Sequence, residues 1–211
     1  MVVVRYPSPP WRLAGRLLVA LAPVRLDVAR ALVPAPLRLL PASPGRALAM
    51  LLVGVYGEGS TLRYGEVAGV TGPVLAGGRL GGLVTSIWVD DERSLAGGRE
   101  VWGLPKQLAT LRWRPGAVEV RDTAGAPIVY AGWREPRVHV PVPAVAPFIG
   151  VLDGAVRRAW LTGSLRLAPT AIELDIPASS PLAPLALAGR RLGLTGRLDV
   201  KATAPRHTTT S

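Results

Sequence analysis

Short apolar runs alternate along the chain with polar and turn-forming residues, a pattern typical of β-strands. Proline and glycine interrupt the apolar runs roughly every ten to fifteen residues, which favours many short strands. In Gly116–Asp122, Val118 and Val120 share one face while Glu119 and Arg121 share the other. The predicted strands are Arg16–Val24, Ala47–Tyr56, Thr61–Val70, Leu80–Val89, Gln107–Arg114, Ala117–Asp122, Pro127–Trp133, Arg137–Val142, Ser164–Leu167, Ala171–Asp175 and Leu192–Ala202.

Helical spacing is rare in this chain. Leu26–Leu32 has it and ends just before Pro34, Asp91–Gly98 is long enough for a turn or two, and Pro143–Trp160 is a third candidate. No internal repeat or long linker divides the sequence. We therefore predict a single mainly β domain (β-rich α+β) over residues 1–201, an antiparallel barrel with a few short helices. Residues 202–211 are polar and are predicted to be a disordered tail.

Composition argues against several classes of function. The 211 residues include no cysteine, which excludes disulfides, thiolate nucleophiles and iron–sulfur clusters. The two histidines, His139 and His207, are too few for an imidazole-rich metal site. The net charge of +11 raises nucleic acid as a partner, but the arginines are scattered and the longest basic runs are pairs. We expect no nucleic-acid partner.

No segment is predicted to cross a membrane. The longest apolar run, Ala47–Tyr56, is far shorter than the roughly 20 residues that a spanning helix needs. The apolar segment after Arg16 has the character of a signal peptide, but it is better explained as a buried strand. The expectation is a soluble cytoplasmic protein with no membrane partner.

Lys106 is the strongest candidate for chemistry. Of the 25 lysine and arginine residues, only Lys106 and Lys201 are lysines, so nearly all the cationic side chains are arginines. Arginine cannot supply a neutral amine. A lysine surrounded by apolar residues such as Trp102, Leu104 and Leu108 can, because desolvation disfavours the ammonium form and lowers the pKa of the amine. A neutral amine attacks a ketone or aldehyde to form a Schiff base. The alternative is a lysine at a barrel rim with its stem on Trp102.

Two further groups are candidates for the same site. Tyr64 and Glu66 share a face if their segment is a strand, and a carboxylate facing a cavity shuttles protons; alternatively, Glu66 points outward and pairs with an arginine. Arg12 and Arg16 flank a turn near the start of the chain, and a guanidinium in a cavity binds a carboxylate in bidentate fashion. Most arginines of this chain must be surface residues, and the alternative for either of these two is such a residue. Residues 90–92, all acidic, are predicted to form a solvated turn.

The signature around the lysine resembles that of the acetoacetate decarboxylase family. The order and approximate spacing agree over roughly residues 14–115. The matching residues are Gly98-Arg99-Glu100, Gly103 and Pro105-Lys106, the preceding Trp88–Glu92, the upstream Leu32–Leu37, and Tyr64-Gly65-Glu66.

The resemblance implies a cone-like β-barrel with an interior active site, where Lys106 forms a Schiff base with a small keto acid. It implies that Glu66 is the active-site glutamate, that the carboxylate-binding arginine lies near Arg16 after a one-residue shift, and that no metal or organic cofactor takes part. It also implies a homo-oligomer. The predicted catalytic residues are Lys106 and Glu66, and the predicted substrate-binding residues are Arg16, Tyr64, Trp102, Gln107 and Arg99.

The chain departs from the family pattern at three points. Gln107 stands where the decarboxylases have a second lysine, Leu51 stands where they have another acidic residue, and the chain is shorter than a typical member. Acetoacetate itself is therefore in doubt as substrate, and decarboxylation and aldol addition with dehydration both stay open. The alternative function is a non-catalytic barrel that binds a small molecule. An inward Glu66 near the Lys106 amine would favour the enzyme.

Overall fold

The computed structural model describes residues 4–208, with 12 β-strands, two α-helices and a short 3-10 turn. The prediction of a mainly β fold with a few short helices is confirmed. The elements in chain order are β1 (Trp11–Arg25), α1 (Leu26–Ala31), β2 (Arg38–Leu39), β3 (Arg46–Tyr56), β4 (Tyr64–Ala76), β5 (Arg79–Val89), α2 (Glu92–Trp102), β6 (Lys106–Arg114), β7 (Ala117–Asp122), β8 (Pro127–Trp133), β9 (Val140–Leu152), β10 (Ala155–Asp175), the 3-10 turn (Ala183–Leu185), β11 (Gly189–Ala202) and β12 (Arg206–Thr208).

The strands form one sheet that closes into a ring. From β4 the hydrogen-bonded order runs through β3, β1, β11, β10, β8, β7, β6 and β5, and β5 pairs with β4 again. Neighbouring strands in the ring are antiparallel except for β5 and β6, which are parallel because α2 connects them, and the short contact between β5 and β9 is also parallel. Strand β9 pairs with β10 along its length and touches β5 over two residues, so it covers the ring on one side.

Alternation along the strands divides the interior into two apolar cores. One lies inside the ring and contains Leu18, Leu51, Val53 and Val120. The other lies on the opposite face of β1, β3 and β4. There, α2, β9 and β10 cover the sheet, and the packed residues include Tyr56, Tyr64, Ile87, Trp102, Leu161 and Leu198.

Helix α2 begins and ends with defined caps. The carboxylate of Asp91 accepts a hydrogen bond from the backbone N–H of Ser94 (2.8 Å), which satisfies a donor of the first turn. Gly103 ends the helix with φ of 66°, a left-handed conformation that favours glycine. Near the same end, the Arg157 guanidinium donates to the carbonyls of Glu100 and Val101. The orientation of α2 over the sheet is thereby fixed at both ends.

The structure differs from the sequence-based expectations in several places. The strand predicted over Arg137–Val142 begins only at Val140. Residues Pro143–Trp160, predicted as a possible helix, instead form most of the β9–β10 hairpin, whose turn contains Asp153 and Gly154 with positive φ. The predicted disordered tail also differs, because Arg206–Thr208 pair with Val156–Arg158 of β10 as strand β12. Residues 209–211 lie outside the described part of the chain. Between residues 4 and 208, none of the helices has the length and apolar character needed to cross a membrane.

Candidate active site

Lys106 lies at the start of β6 with its side chain enclosed between α2 and the sheet. Its side chain is 3% exposed. The ammonium donates to Glu66 Oε2 (2.9 Å) and to Ser94 Oγ (2.9 Å), and it lies 5.0 Å from the centroid of the Tyr64 ring. A buried amine therefore donates to one carboxylate and one hydroxyl and lies over the face of an aromatic ring.

Glu66 accepts hydrogen bonds from two tyrosines as well as from the lysine. The hydroxyl of Tyr56 donates to Oε1 (3.1 Å) and that of Tyr64 donates to Oε2 (3.2 Å). Burial, and then the nearby Glu66 charge, raise the pKa of both phenols well above the ordinary value of 10. Both tyrosines are therefore neutral donors at physiological pH, and three donors in all stabilise the Glu66 carboxylate.

Strand register brings these groups together. Tyr56 pairs with Tyr64 and Gly54 pairs with Glu66 across β3 and β4, so the two tyrosines and the glutamate share one face. Lys106 pairs with Ile87 across β6 and β5, and Ile87 belongs to the same core as the tyrosines. Ser94 is supplied by the first turn of α2.

Helix α2 supports the lysine through Arg99 and Trp102. The Arg99 guanidinium donates through Nε to the Lys106 carbonyl (2.7 Å), so it holds the backbone of the lysine. The Trp102 indole packs edge-on against Trp11 with centroids 4.8 Å apart and donates to the Thr203 carbonyl (2.8 Å). Both residues therefore anchor the helix and the start of β6, whereas the sequence predicted them as substrate contacts.

Two other predicted substrate contacts lie on the other side of the sheet. Arg16 pairs with Val55, and Val55 lies between Gly54 and Tyr56 on β3, so Arg16 points away from the face that carries Tyr56. Its guanidinium is 2.5 Å from Glu135 in a largely exposed ion pair. Gln107 follows Lys106 on the same strand, so its side chain points to the opposite face and is exposed. The structure thus groups Lys106, Glu66 and Tyr64, and separates Arg16 and Gln107 from them.

The acidic residues 90–92 are largely solvated, as predicted, with Asp90 and Glu92 exposed, but Glu92 already begins α2, and Asp90 and Asp91 also have structural roles. Asp90 accepts a hydrogen bond from the Gly65 backbone N–H (2.7 Å), and partial desolvation of its carboxyl group raises its pKa. Asp91 caps α2. Asp90 therefore ties the β5–α2 junction to β4 beside Glu66, and Asp91 fixes the start of α2. In the part of the chain that the structure describes, no three His, Asp or Glu side chains group as metal ligands.

Sequence reasoning missed Tyr56, Ser94 and Gly98. Tyr56 is the last residue of a strand predicted only as apolar, and Ser94 lies in a short helix with no chemistry assigned. An ideal Cβ on Gly98 would lie 2.5 Å from Lys106 Cε, so this glycine makes room for the lysine side chain. The signal for Gly98 was available in the Gly-Arg-Glu motif, where a glycine inside a helix needs a reason.

The structure is that of a mainly β protein with a ring-like sheet and a buried lysine–glutamate pair. A family model described as acetoacetate decarboxylase (ADC) matches residues 3–140. The chain belongs to the acetoacetate decarboxylase family.

Individual relatives agree with this assignment. An acetoacetate decarboxylase of Ralstonia nicotianae is 36% identical over 109 residues, covering 51% of this chain and 42% of the relative. The crystal structure of acetoacetate decarboxylase from Legionella pneumophila covers 99% of this chain and 92% of its own, with a TM-score of 0.73 and 19% identity. The structure of the enduracididine biosynthesis enzyme MppR complexed with pyruvate matches 97% of this chain and 92% of the MppR chain, with a TM-score of 0.67 and 18% identity.

The sequence alignments are partial. The match spans about two fifths of the length of the curated relatives, and the solved structures, at under 25% identity, are similar in fold.

Proposed function

We propose that this protein is a cofactor-free lyase that forms a Schiff base between Lys106 and a small keto acid. The observation that carries the proposal is the enclosed Lys106 amine, which is 2.9 Å from Glu66 Oε2 and 2.9 Å from Ser94 Oγ. Family membership adds support, because curated relatives are named acetoacetate decarboxylases.

The contact between amine and carboxylate supplies the first proton transfer. One proton moves from Nζ to Glu66 Oε2, which gives a neutral amine beside a carboxylic acid. The amine attacks the substrate carbonyl and forms a carbinolamine. Glu66 then returns its proton to the departing hydroxyl, so that water leaves and an iminium ion remains beside the Glu66 carboxylate. The pair has the same net charge before and after this sequence.

The iminium accepts the electron pair of the bond that breaks next. In decarboxylation the bond to the carboxylate breaks, carbon dioxide leaves, and an enamine forms. The enamine carbon takes a proton that comes ultimately from solvent, and water then hydrolyses the iminium and restores Lys106. In the alternative reaction no carbon dioxide leaves: the Glu66 carboxylate takes an α-proton from the iminium, which gives the enamine. The enamine carbon adds to a second carbonyl, whose oxygen takes up that proton, and loss of this hydroxyl as water completes the dehydration. MppR complexed with the condensation product of pyruvate and imidazole 4-carboxaldehyde has the same fold, which makes this alternative worth testing here.

Borohydride trapping tests the proposal. The protein is incubated with acetoacetate, pyruvate and a panel of small keto acids and aldehydes, reduced, and weighed intact, and the labelled peptide is mapped. The expected result is substrate-dependent label on Lys106. Lys201 is an exposed internal control, because it reports unselective labelling of lysines.

Lys106→Arg is the matched variant, because it keeps a cation and removes the amine nucleophile. Label that persists at the same level in this variant would contradict the proposal. A folded wild-type protein that takes up no label on Lys106 across the panel would also overturn it and favour a non-catalytic binding module. Release of carbon dioxide, measured on the same panel, separates decarboxylation from aldol addition.

A further inference from the structure

A cavity lies on the face of the sheet that Lys106 does not reach. Its volume is about 300 Å³, at the small end of the range for ligand pockets. The walls are apolar and aromatic, and the rim is charged. The residues that matter are Leu18, Val53, Trp113 and Trp133 on the walls, with Arg16 and Glu135 on the rim.

Strand register separates this cavity from the lysine site. Leu18 pairs with Val53 on β3 and with Thr195 on β11, and all three line the cavity. Trp113 is seven positions from Lys106 on β6, so the two side chains point to opposite faces. A ligand in this cavity therefore lies across the sheet from the Lys106 amine.

The rim already holds a carboxylate, which belongs to the chain itself. Glu135 Oε1 lies 2.5 Å from Arg16 Nη2 and accepts a hydrogen bond from Trp133 Nε1 (2.8 Å). A guanidinium from β1 and an indole donor from β8 thus meet at one carboxylate oxygen at the mouth of an apolar cavity. Arg114 also lines the cavity, so its charged side chains, two arginines against one glutamate, sum to +1.

The glutamate that occupies this position is easily displaced. The Arg16 side chain is 59% exposed and the Glu135 side chain is 35% exposed, and exposed ion pairs contribute little to stability. Glu135 lies in the irregular segment between β8 and β9, where no strand pairing holds it. A carboxylate from solution would replace it on Arg16 and Trp133 while the rest of the ligand packs against the tryptophans.

From these contacts we propose that the Arg16–Glu135 cavity binds a small monocarboxylate with an apolar or aromatic body. Glu135 occupies the carboxylate position in the free protein. This inference does not depend on whether Lys106 forms an imine.

Phenylacetate is the probe, because it has a carboxylate and an aromatic ring but no ketone or aldehyde that could react with a lysine. Calorimetry and tryptophan fluorescence should show saturable binding. Arg16→Leu should weaken it at least tenfold, and Glu135→Gln should strengthen it severalfold, because the competing charge is removed. The uncharged analogue 2-phenylethanol should bind at least tenfold more weakly than phenylacetate.

Arg12→Leu is the matched control. Arg12 lies on the same strand in a similar exposed ion pair, with Asp199, so its loss should leave phenylacetate binding unchanged. The proposal is wrong if wild-type protein shows no saturable binding, or if Arg12→Leu and Arg16→Leu weaken it equally.

Discussion

The methylene chain of Lys106 lies against Gly98 on helix α2, so closely that a Cβ on Gly98 would lie 2.5 Å from Lys106 Cε. Real Cβ atoms do not tolerate such a distance, so helix and lysine pack in this way only because position 98 has no side chain. Gly97 has the same relationship with the Trp11 ring, where the distance would be 2.6 Å. The glycine pair lets one helix contact the lysine on one side and the first strand on the other.

Gly98→Ala should displace the lysine side chain. The clash costs about 1–3 kcal/mol, and the better helix propensity of alanine returns about 1 kcal/mol, so the net loss of stability should be small. Imine trapping should fall further, by about tenfold to a hundredfold, because the amine is moved from Glu66. Gly57→Ala is the control, since nothing lies within 4 Å of its Cβ position. Equal trapping rates in the two variants would contradict the packing argument.

Glu66→Gln should destabilise the fold through the charge that it leaves behind. Removing one partner of a buried ion pair costs about 3–5 kcal/mol, and the lower end applies because the Glu66 side chain is 16% exposed. Urea unfolding of Glu66→Gln, Lys106→Met and the double variant measures the coupling. The double variant should lose about 1–3 kcal/mol less than the sum of the single losses. Additive losses would mean that the two groups do not stabilise each other.

Asp91→Ala should weaken the end of α2 that holds Ser94. Loss of the cap costs about 1 kcal/mol. Ser94 Oγ should then be less well placed for the Lys106 amine, and trapping should slow. Asp91→Asn separates the causes, because asparagine retains the cap but loses the ion pair with Arg93. In thermal unfolding, Asp91→Ala should be less stable than Asp91→Asn by the contribution of the cap hydrogen bond. Identical melting curves would show that the ion pair with Arg93, and not the cap, stabilises the helix.

The buried tyrosines should make the fold sensitive to alkali. Tyr56 and Tyr64 have pKa values raised above 10 in the folded protein, mainly by burial. Above pH 10 the unfolded chain releases these protons and the folded chain keeps them, so stability falls as pH rises. The slope is about 1.4 kcal/mol per pH unit for each tyrosine.

The Tyr56→Phe/Tyr64→Phe double variant isolates this effect. It should lose stability at pH 7, where the hydrogen bonds to Glu66 are missing, and its stability should fall less steeply between pH 10 and 11 than that of the wild type. Urea unfolding at each pH gives both curves. Parallel curves above pH 10 would show that other groups cause the alkaline loss.

The parts of the site that could be predicted from sequence are those that depend on residue type. Lys106 stands out because it is one of two lysines among 25 basic residues, and Tyr64 and Glu66 share a face in any regular strand. The mainly β fold was predictable for a similar reason, because the apolar runs and the turn residues between them repeat along most of the chain.

Two kinds of feature could not be predicted from the sequence: the face of the sheet to which a strand side chain points, and the strands that pair with each other. Arg16 is one residue away from facing Tyr56, and a shift of one residue reverses the direction of a strand side chain. Gln107 is the neighbour of Lys106 on β6, so its side chain points to the opposite face of the sheet. The β9–β10 hairpin was mistaken for a helix because its prolines and small residues carry no alternation, and its pairing with β5 is decided by distant parts of the chain.

The groups that surround the Lys106 amine all come from one stretch of chain, between Tyr56 and Lys106, whereas closure of the ring joins Trp11 to Ala202. Contacts over short separations form quickly, and contacts over long ones form slowly. During folding, the lysine, the glutamate and the tyrosines should therefore come together before the ends of the chain meet. Water should leave the amine only in the last step, when the first and last long strands pair.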